Sequence, residues 1–321
     1  MHPQHAEFCD WHRRDACIPA QAAHNARAQL MLLRSADDLS DSAVDWIMFR
    51  AEQHRTASAK ANTRVAAVIG LVFLETSLRT RVGFAAAAAR LGAASVEASE
   101  QRRSPVSMAE SVHDTLRTVA GYVDVVVARV KEELTAPANL TVPIISGGDR
   151  GPRAEHPTQG LIDVFALRRL HIAPEHQVIA VCGDLRMRSV RSLFGFLARN
   201  PPRRLLLVTV HELGDGLHLP SALEEISERR TLLELEDTDV LYVAGIPHGA
   251  LDEAGRTRLR VTPGTLEALH PRAAVLCPLP VIDEIDTAAR TDSRMRIFQQ
   301  SDEGLYVRMA ILEWVLDPSL F

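Results

Sequence analysis

Short, unbroken apolar runs rich in β-branched residues recur along this chain, separated by amphipathic stretches, and this alternation restricts the fold more than any other feature. Val65 to Phe73 (VAAVIGLVF) is the clearest run. A strand with one wet face alternates apolar and polar residues, whereas a continuous run suits a strand covered on both faces, as in a parallel sheet. Helical patterns flank it. Ser40 to His54 starts acidic at Asp41 and carries Val44, Ile47 and Met48 at helix spacing, and alanine-rich Arg79 to Leu91 stops at Gly92. The series continues with a helix from about Met108 to Ala120, strands at Val123 to Ala128 and around Ile144, and a helix from His156 through Leu170. A second series has strands Gln177 to Cys182, Leu205 to Val210, Val240 to Val243 and Ala273 to Cys277. Helices Arg188 to Arg199, Ser221 to Arg229 and Thr265 to His270 lie between them, and an amphipathic helix Gly304 to Leu316 closes the chain. This order predicts an α/β fold built on parallel sheets flanked by helices.

At 321 residues the chain exceeds the usual size of one core, so two domains are expected. The two series meet at the helix containing Leu161 and Phe165, which puts a polar extension at 1–28, one domain at 29–160 and another at 161–303. A net charge of -5 disfavours nucleic acid and anionic membranes as partners. No apolar run is long enough to span a bilayer, and the first thirty residues lack the apolar stretch of a secretory signal, so a cytoplasmic location is expected. Four scattered cysteines do not make a disulfide scaffold. Cys9, His12 and Cys17 lack a fourth ligand at a zinc spacing, so no metal site is expected there.

The strand ending at Phe73 runs through Glu75 and Thr76 into Ser77, Leu78, Arg79, Thr80 and Arg81 at a helix start. Unpaired backbone N–H groups, hydroxyls and guanidinium groups at such a junction would hold an anion such as phosphate. The alternative is an ordinary helix capped by Ser77 or Thr76, with its arginines in solvent.

The stretch FLETSLRTRVGF resembles the Phe-x-x-x-Ser-Thr-Arg-Thr-Arg segment with which aspartate and ornithine carbamoyltransferases bind the phosphate of carbamoyl phosphate. Leu78 stands at the first threonine, as in the acetylornithine and succinylornithine members. Glu155 to Gln159 (EHPTQ) is similar to the family's His-Pro-x-Gln motif, and Ser111 to Arg129 to its helix and strand ending in an arginine. Gly183, Asp184 and Leu185 with Arg188 look like its second-domain segment; no G-x-G-x-x-G follows, which weighs against a dinucleotide cofactor. Cys277 to Pro280 resembles its His-Pro-Leu-Pro loop with cysteine at the histidine position, where a packed thiol is expected rather than a nucleophile.

The resemblance implies the carbamoyltransferase fold, with two domains joined by long helices and helix 304–321 completing the first. It implies transfer of a carbamoyl group from carbamoyl phosphate to an amine, with no cofactor. Arg79, Arg129 and His156 would be catalytic, and carbamoyl phosphate would also meet Ser77, Leu78, Thr80, Gln159 and Leu279. Arg188 and Pro280 would meet the acceptor. A homotrimer with shared sites is implied, Ser104 and Arg103 (or Arg102) standing in a loop lent to the neighbour, where a lysine is expected near Met108. Gly245 and Pro247 replace the arginine and glutamine of aspartate-specific members, and the ornithine type of loop is not matched either. The alternatives are a non-catalytic ligand-binding or partner-binding relative and an enzyme that uses another acyl phosphate.

Overall fold

A computed structural model describes residues 32–57, 65–99, 110–214 and 216–316. The extension at 1–28, with Cys9 and Cys17, and the segment holding Arg102, Arg103, Ser104 and Met108 lie outside the described residues.

The first parallel sheet contains β1 (Leu32–Leu33), β2 (Val68–Phe73), β3 (Ala94–Ser99), β4 (Val125–Arg129) and β5 (Ile144–Ser146), in the order β1-β5-β4-β2-β3. β2 is central and nearly all buried, as its unbroken apolar run requires. Helices α1 (Asp41–Thr56), α2 (Leu78–Arg90) and α3 (Val112–Ala120) belong to this half. The second parallel sheet contains β6 (Val178–Cys182), β7 (Arg204–Val208), β8 (Ser227–Arg229), β9 (Val240–Val243) and β10 (Ala274–Leu276), in the order β10-β9-β6-β7-β8. Helix α4 (Pro157–Arg168) leads into it, α5 (Arg188–Leu197) joins β6 to β7, and the short helices α6 (His211–Gly214), α7 (Ser221–Glu224), α8 (Glu253–Leu259) and α9 (Pro263–Ala268) lie between its later strands. The last helix, α10 (Ile297–Leu316), packs against α1, α2 and α4. The α/β class and the parallel pairing are therefore as expected. No helix among the described residues is long and apolar enough to cross a membrane.

Apolar layers cover both faces of each sheet. In the first half one layer joins β2 and β4 to α1, α2 and α10, and the other packs β2, β4 and β5 against α3. α4 serves two layers, since Leu161, Ile162 and Phe165 pack with the first half while Ala166 and Leu167 pack with the second. α10 is anchored to α1 by the fully buried Glu313, whose Oε1 lies 2.7 Å from Arg50 Nη2 and whose Oε2 lies 3.0 Å from His54 Nε2. Burial works against that carboxylate's charge, yet His54 and Arg50 hold its pKa below the ordinary value.

Several elements depart from the expected pattern. Ser221 to Arg229 is not one helix: it is α7 followed by β8, which pairs with β7 in the register Leu205↔Ser227. Both β8 and β3 are edge strands, where one neighbour supplies the hydrogen bonds and no continuous apolar run is needed. β3 (ASVEAS) and the two-residue β1 give no such run and were not expected. α3 starts at Val112 rather than Met108, because the Ser111 side chain accepts the Asp114 N–H and caps the helix there. α10 starts at Ile297 rather than Gly304; Gly304 is interior, where a Cβ would stand 3.0 Å from Ile162 Cδ1.

The strand order reverses beside β2 and β4 in the first sheet and beside β6 and β9 in the second, and crevices form at the carboxyl ends of such neighbours. At the second reversal Gly183 has φ +115, and a Cβ there would lie 2.4 Å from the Ala244 carbonyl oxygen. Gly183→Ala is expected to destabilise the protein by about 2–3 kcal/mol, measured as a shift in its denaturation midpoint.

Candidate active site

The crevice of the first sheet gathers side chains from five separate stretches. β2 leads through Glu75 into Ser77, the N-cap residue of α2, whose side chain makes no capping bond. That disposes of the ordinary Ser77 cap and leaves the first turn's N–H groups open toward an anion. Leu78 turns its side chain outward, 66% exposed, while Thr80 is buried with its hydroxyl 3.5 Å from His156 Nε2. Arg79 is exposed, and among the described residues no carboxylate forms an ion pair with it. Partial burial lowers its pKa.

Arg129 ends β4, donates from Nη1 to the Gly147 carbonyl at 2.9 Å and brings Nε to 3.1 Å from Glu75 Oε2. The latter contact is close but off-line for a hydrogen bond, so charge rather than directed bonding holds it. His156 is the N-cap residue of α4. Its backbone N–H donates to Ser192 Oγ at 2.9 Å, and its Nδ1 lies 3.2 Å from Thr158 Oγ1. Arg188 starts α5, donates from Nη1 to the Asp149 carbonyl at 2.7 Å and lies 3.7 Å from Glu75 Oε2.

The turn after β5 decides how these groups meet. Gly148 has φ +98, and a Cβ there would stand 2.9 Å from Arg129 Nη1, 3.1 Å from His156 Cδ2 and 3.4 Å from Arg188 Cζ. Gly147 would place a Cβ 3.2 Å from the Thr80 methyl. Residues from α2, β4, α4 and α5 thus converge on one glycine pair, a close approach that no larger residue allows. Glu75, which also takes Arg150 Nε at 2.8 Å, is the carboxylate ion-paired within the cluster.

The electrostatics follow from crowding cations in a partly dry space. Burial first, then Arg188, pushes the Arg129 guanidinium down to about 10, with Glu75 opposing and Arg150 and Arg79 adding to the effect. Burial lowers Arg188 as well, against the pull of Glu75. Burial followed by Arg188, Arg129, Arg308 and Arg79 holds the His156 imidazole well below its ordinary value, so it is neutral near pH 7. A neutral imidazole can donate one hydrogen bond without adding charge.

Two expected residues lie beside this cluster. Gln159, one turn into α4, donates from Nε2 to Asp163 Oδ1 at 2.7 Å. Leu279 lies on the loop after β10, in the left-handed region at φ 60, before the cis Pro280. Its N–H donates to Cys277 Sγ at 3.4 Å. Pro280 itself is exposed. Cys277 is buried, and burial pushes its thiol up to about 12, which suits packing and not attack.

Sequence reasoning missed Glu75, Gly148, Arg150 and Arg308. Arg308 on α10 is 6% exposed, packs its guanidinium 5.7 Å from the Phe84 ring, and has no ion pair among the described residues. Burial first and Arg79 second push it down to about 10. The available signal was one arginine inside the apolar run YVRMAIL, where a charge is costly unless it faces a site.

A family model described as aspartate/ornithine carbamoyltransferase, carbamoyl-P binding domain, matches residues 32–169. The aspartate carbamoyltransferase catalytic subunit of Archaeoglobus fulgidus is 33% identical over 301 residues, which cover 88% of this chain and 98% of that protein. Its counterpart in Methanoculleus marisnigri is 32% identical with the same coverage. Among solved structures, aspartate transcarbamoylase from Trypanosoma cruzi in complex with carbamoyl phosphate has a TM-score of 0.74 at 26% identity, covering 90% of this chain and 97% of that one.

His156 is expected to remain neutral as the pH falls through the ordinary histidine range, followed by NMR of its imidazole. Its folded pKa is depressed, so the stability its neutral form contributes is present above the unfolded value and is lost as the pH falls through the folded one. Titration of that resonance near the ordinary histidine value contradicts the crowded, desolvated site.

Proposed function

The chain belongs to the aspartate/ornithine carbamoyltransferase family, and from that premise we propose that the crevice at Gly147 and Gly148 is where it moves a carbamoyl group from carbamoyl phosphate to the amine of an amino acid. The observation that carries this reading is the approach of Arg129, His156 and Arg188 to within 3.4 Å of one built Cβ position, beside the open first turn of α2.

Attack of a neutral amine on the carbamoyl carbon forms the new C–N bond and breaks the C–O bond to phosphate. Negative charge gathers on the carbonyl oxygen and on the departing phosphate, so donors fixed in advance are the main requirement. Arg79, Thr80, Ser77 and the Leu78 N–H hold the phosphate, and Arg308 adds charge from beneath α2. Arg129 and His156 meet the carbonyl oxygen. Gln159 and the Leu279 carbonyl orient the NH2 group, while Arg188, with Pro280 nearby, receives the acceptor's α-carboxylate. The outward Leu78 side chain supports the acetylornithine-type variant of the phosphate segment, since its backbone is what the site requires.

The named relatives are aspartate carbamoyltransferases, but Gly245 and Pro247 offer no side-chain cation for a second carboxylate, and neighbouring Arg256 is paired with Asp283. We read the acceptor as an amino acid whose distal group is recognised in another way. Residues 29–160, completed by α10, form the donor-binding domain and the stretch from 161 up to α10 the acceptor domain, with α4 spanning the boundary. Exposed Leu78 and Val82, four residues apart on α2, form an apolar margin beside Arg79 that suits a neighbouring subunit. A homotrimer with sites at its interfaces fits that margin, with the segment holding Arg103 and Ser104 as the loop shared between subunits.

Incubation with carbamoyl phosphate and a panel of amino acids is expected to release phosphate and give a carbamoylated product by mass. Thermal stabilisation by carbamoyl phosphate without turnover on any amine supports the non-catalytic alternative instead. Arg79→Ala is expected to lower kcat/KM by about a thousandfold with little change in melting temperature, and unchanged turnover removes the phosphate assignment.

A further inference from the structure

Asp163 lies one turn beyond Gln159 on α4 with no exposed surface, and among the described residues no arginine or lysine pairs with it. Three donors converge on its carboxylate. Gln159 Nε2 and Gln300 Nε2 donate to Oδ1 at 2.7 and 2.6 Å, and the Tyr242 hydroxyl donates to Oδ2 at 2.9 Å. An ionised carboxylate only accepts, so both glutamine amides must turn their NH2 groups toward it. At Gln300 the oxygen is thereby directed to the Cys277 N–H, 2.9 Å away, at the root of the loop that carries Leu279. At Gln159 the oxygen becomes the free end of the amide, with no protein group bonded to it among the described residues. It is then an acceptor in a pocket otherwise rich in donors.

We propose that Asp163 is a positioning residue that sets the direction of the Gln159 amide, so that the pocket favours an acyl phosphate ending in NH2 over one ending in methyl. This rests on the donor assignment above. With the Gln159 oxygen facing the ligand, a carbamoyl NH2 finds an acceptor and an acetyl methyl leaves that acceptor unpaired. Asn at 163 presents one oxygen and one NH2 to three donors and no longer dictates the amide direction.

The test is calorimetric binding of carbamoyl phosphate, acetyl phosphate and inorganic phosphate to the full-length wild type and to Asp163→Asn. The wild type is expected to prefer carbamoyl phosphate over acetyl phosphate. In the variant, carbamoyl phosphate should lose about tenfold in affinity while the other two change by less than about twofold, which erases the preference. An unchanged preference, or equal weakening of all three ligands, overturns the positioning role and leaves the donor assignment standing. Failure of the wild type to bind carbamoyl phosphate overturns both.

The wild type alone provides a second arm that does not depend on the variant folding. Burial raises the Asp163 pKa to about 7 against its hydrogen bonds from Gln159, Tyr242 and Gln300. Of its neighbours, Tyr242 on β9 and Cys277 after β10 are held neutral by upward shifts, Gln159 and Gln300 do not titrate, and the pocket's arginines keep their charge. Phosphate protonation is shared by the two acyl phosphates and cancels in their affinity ratio. The carbamoyl-to-acetyl preference is expected to decline between about pH 8 and about pH 6, and a constant ratio overturns the proposal.

Discussion

Like charges drawn out of water repel one another, and Arg79, Arg129, Arg188 and Arg308 crowd one crevice with Glu75 as the carboxylate ion-paired among them. Both desolvation and mutual repulsion act against these cations, as the depressed Arg129 and Arg308 show. A phosphate dianion relieves both. The same crowding keeps His156 neutral, so a hydrogen-bond donor sits among cations without adding to the repulsion. The proposed chemistry, with negative charge growing on a carbonyl oxygen and a leaving phosphate, makes use of the same imbalance.

A cluster of this kind needs a rigid frame, and its members come from parts of the chain far apart in sequence. The parallel sheet puts the ends of β2 and β4 side by side, and the glycine pair after β5 lets α2, α4 and α5 approach one another there. α4 packs into both halves, and α10 lies back across α1, α2 and α4 under the hold of the Glu313 ion pair. The buried Asp163 adds a polar connection between α4, α10 and β9 where apolar packing alone would leave the amide directions unset.

The central strands could be read before any coordinates because their apolar runs are what two-sided burial demands. Val240 to Val243 matches β9 at both ends, and Val65 to Phe73 contains β2. Edge strands carry no such mark: β8 lies in a stretch with helical local preference, and pairing with β7 decides its conformation. The turn proposed to hold phosphate drew notice because Ser77 to Arg81 combines hydroxyls and cations at a helix start. Glu75, Arg150 and Arg308 look like ordinary charged residues until their neighbours are known.

By itself the sequence determined the α/β class, the order of most elements and the segments rich in anion-binding chemistry, because periodicity and residue type are local properties. Only the tertiary structure decided which of those segments meet. Gly148 is an unremarkable loop glycine in the sequence, yet its lack of a side chain lets Arg129, His156 and Arg188 all approach one point. Distances between residues far apart along a chain are set by packing, and so are the neutral state of His156 and the acceptor role of Asp163, since burial and charge sum over everything folded around them.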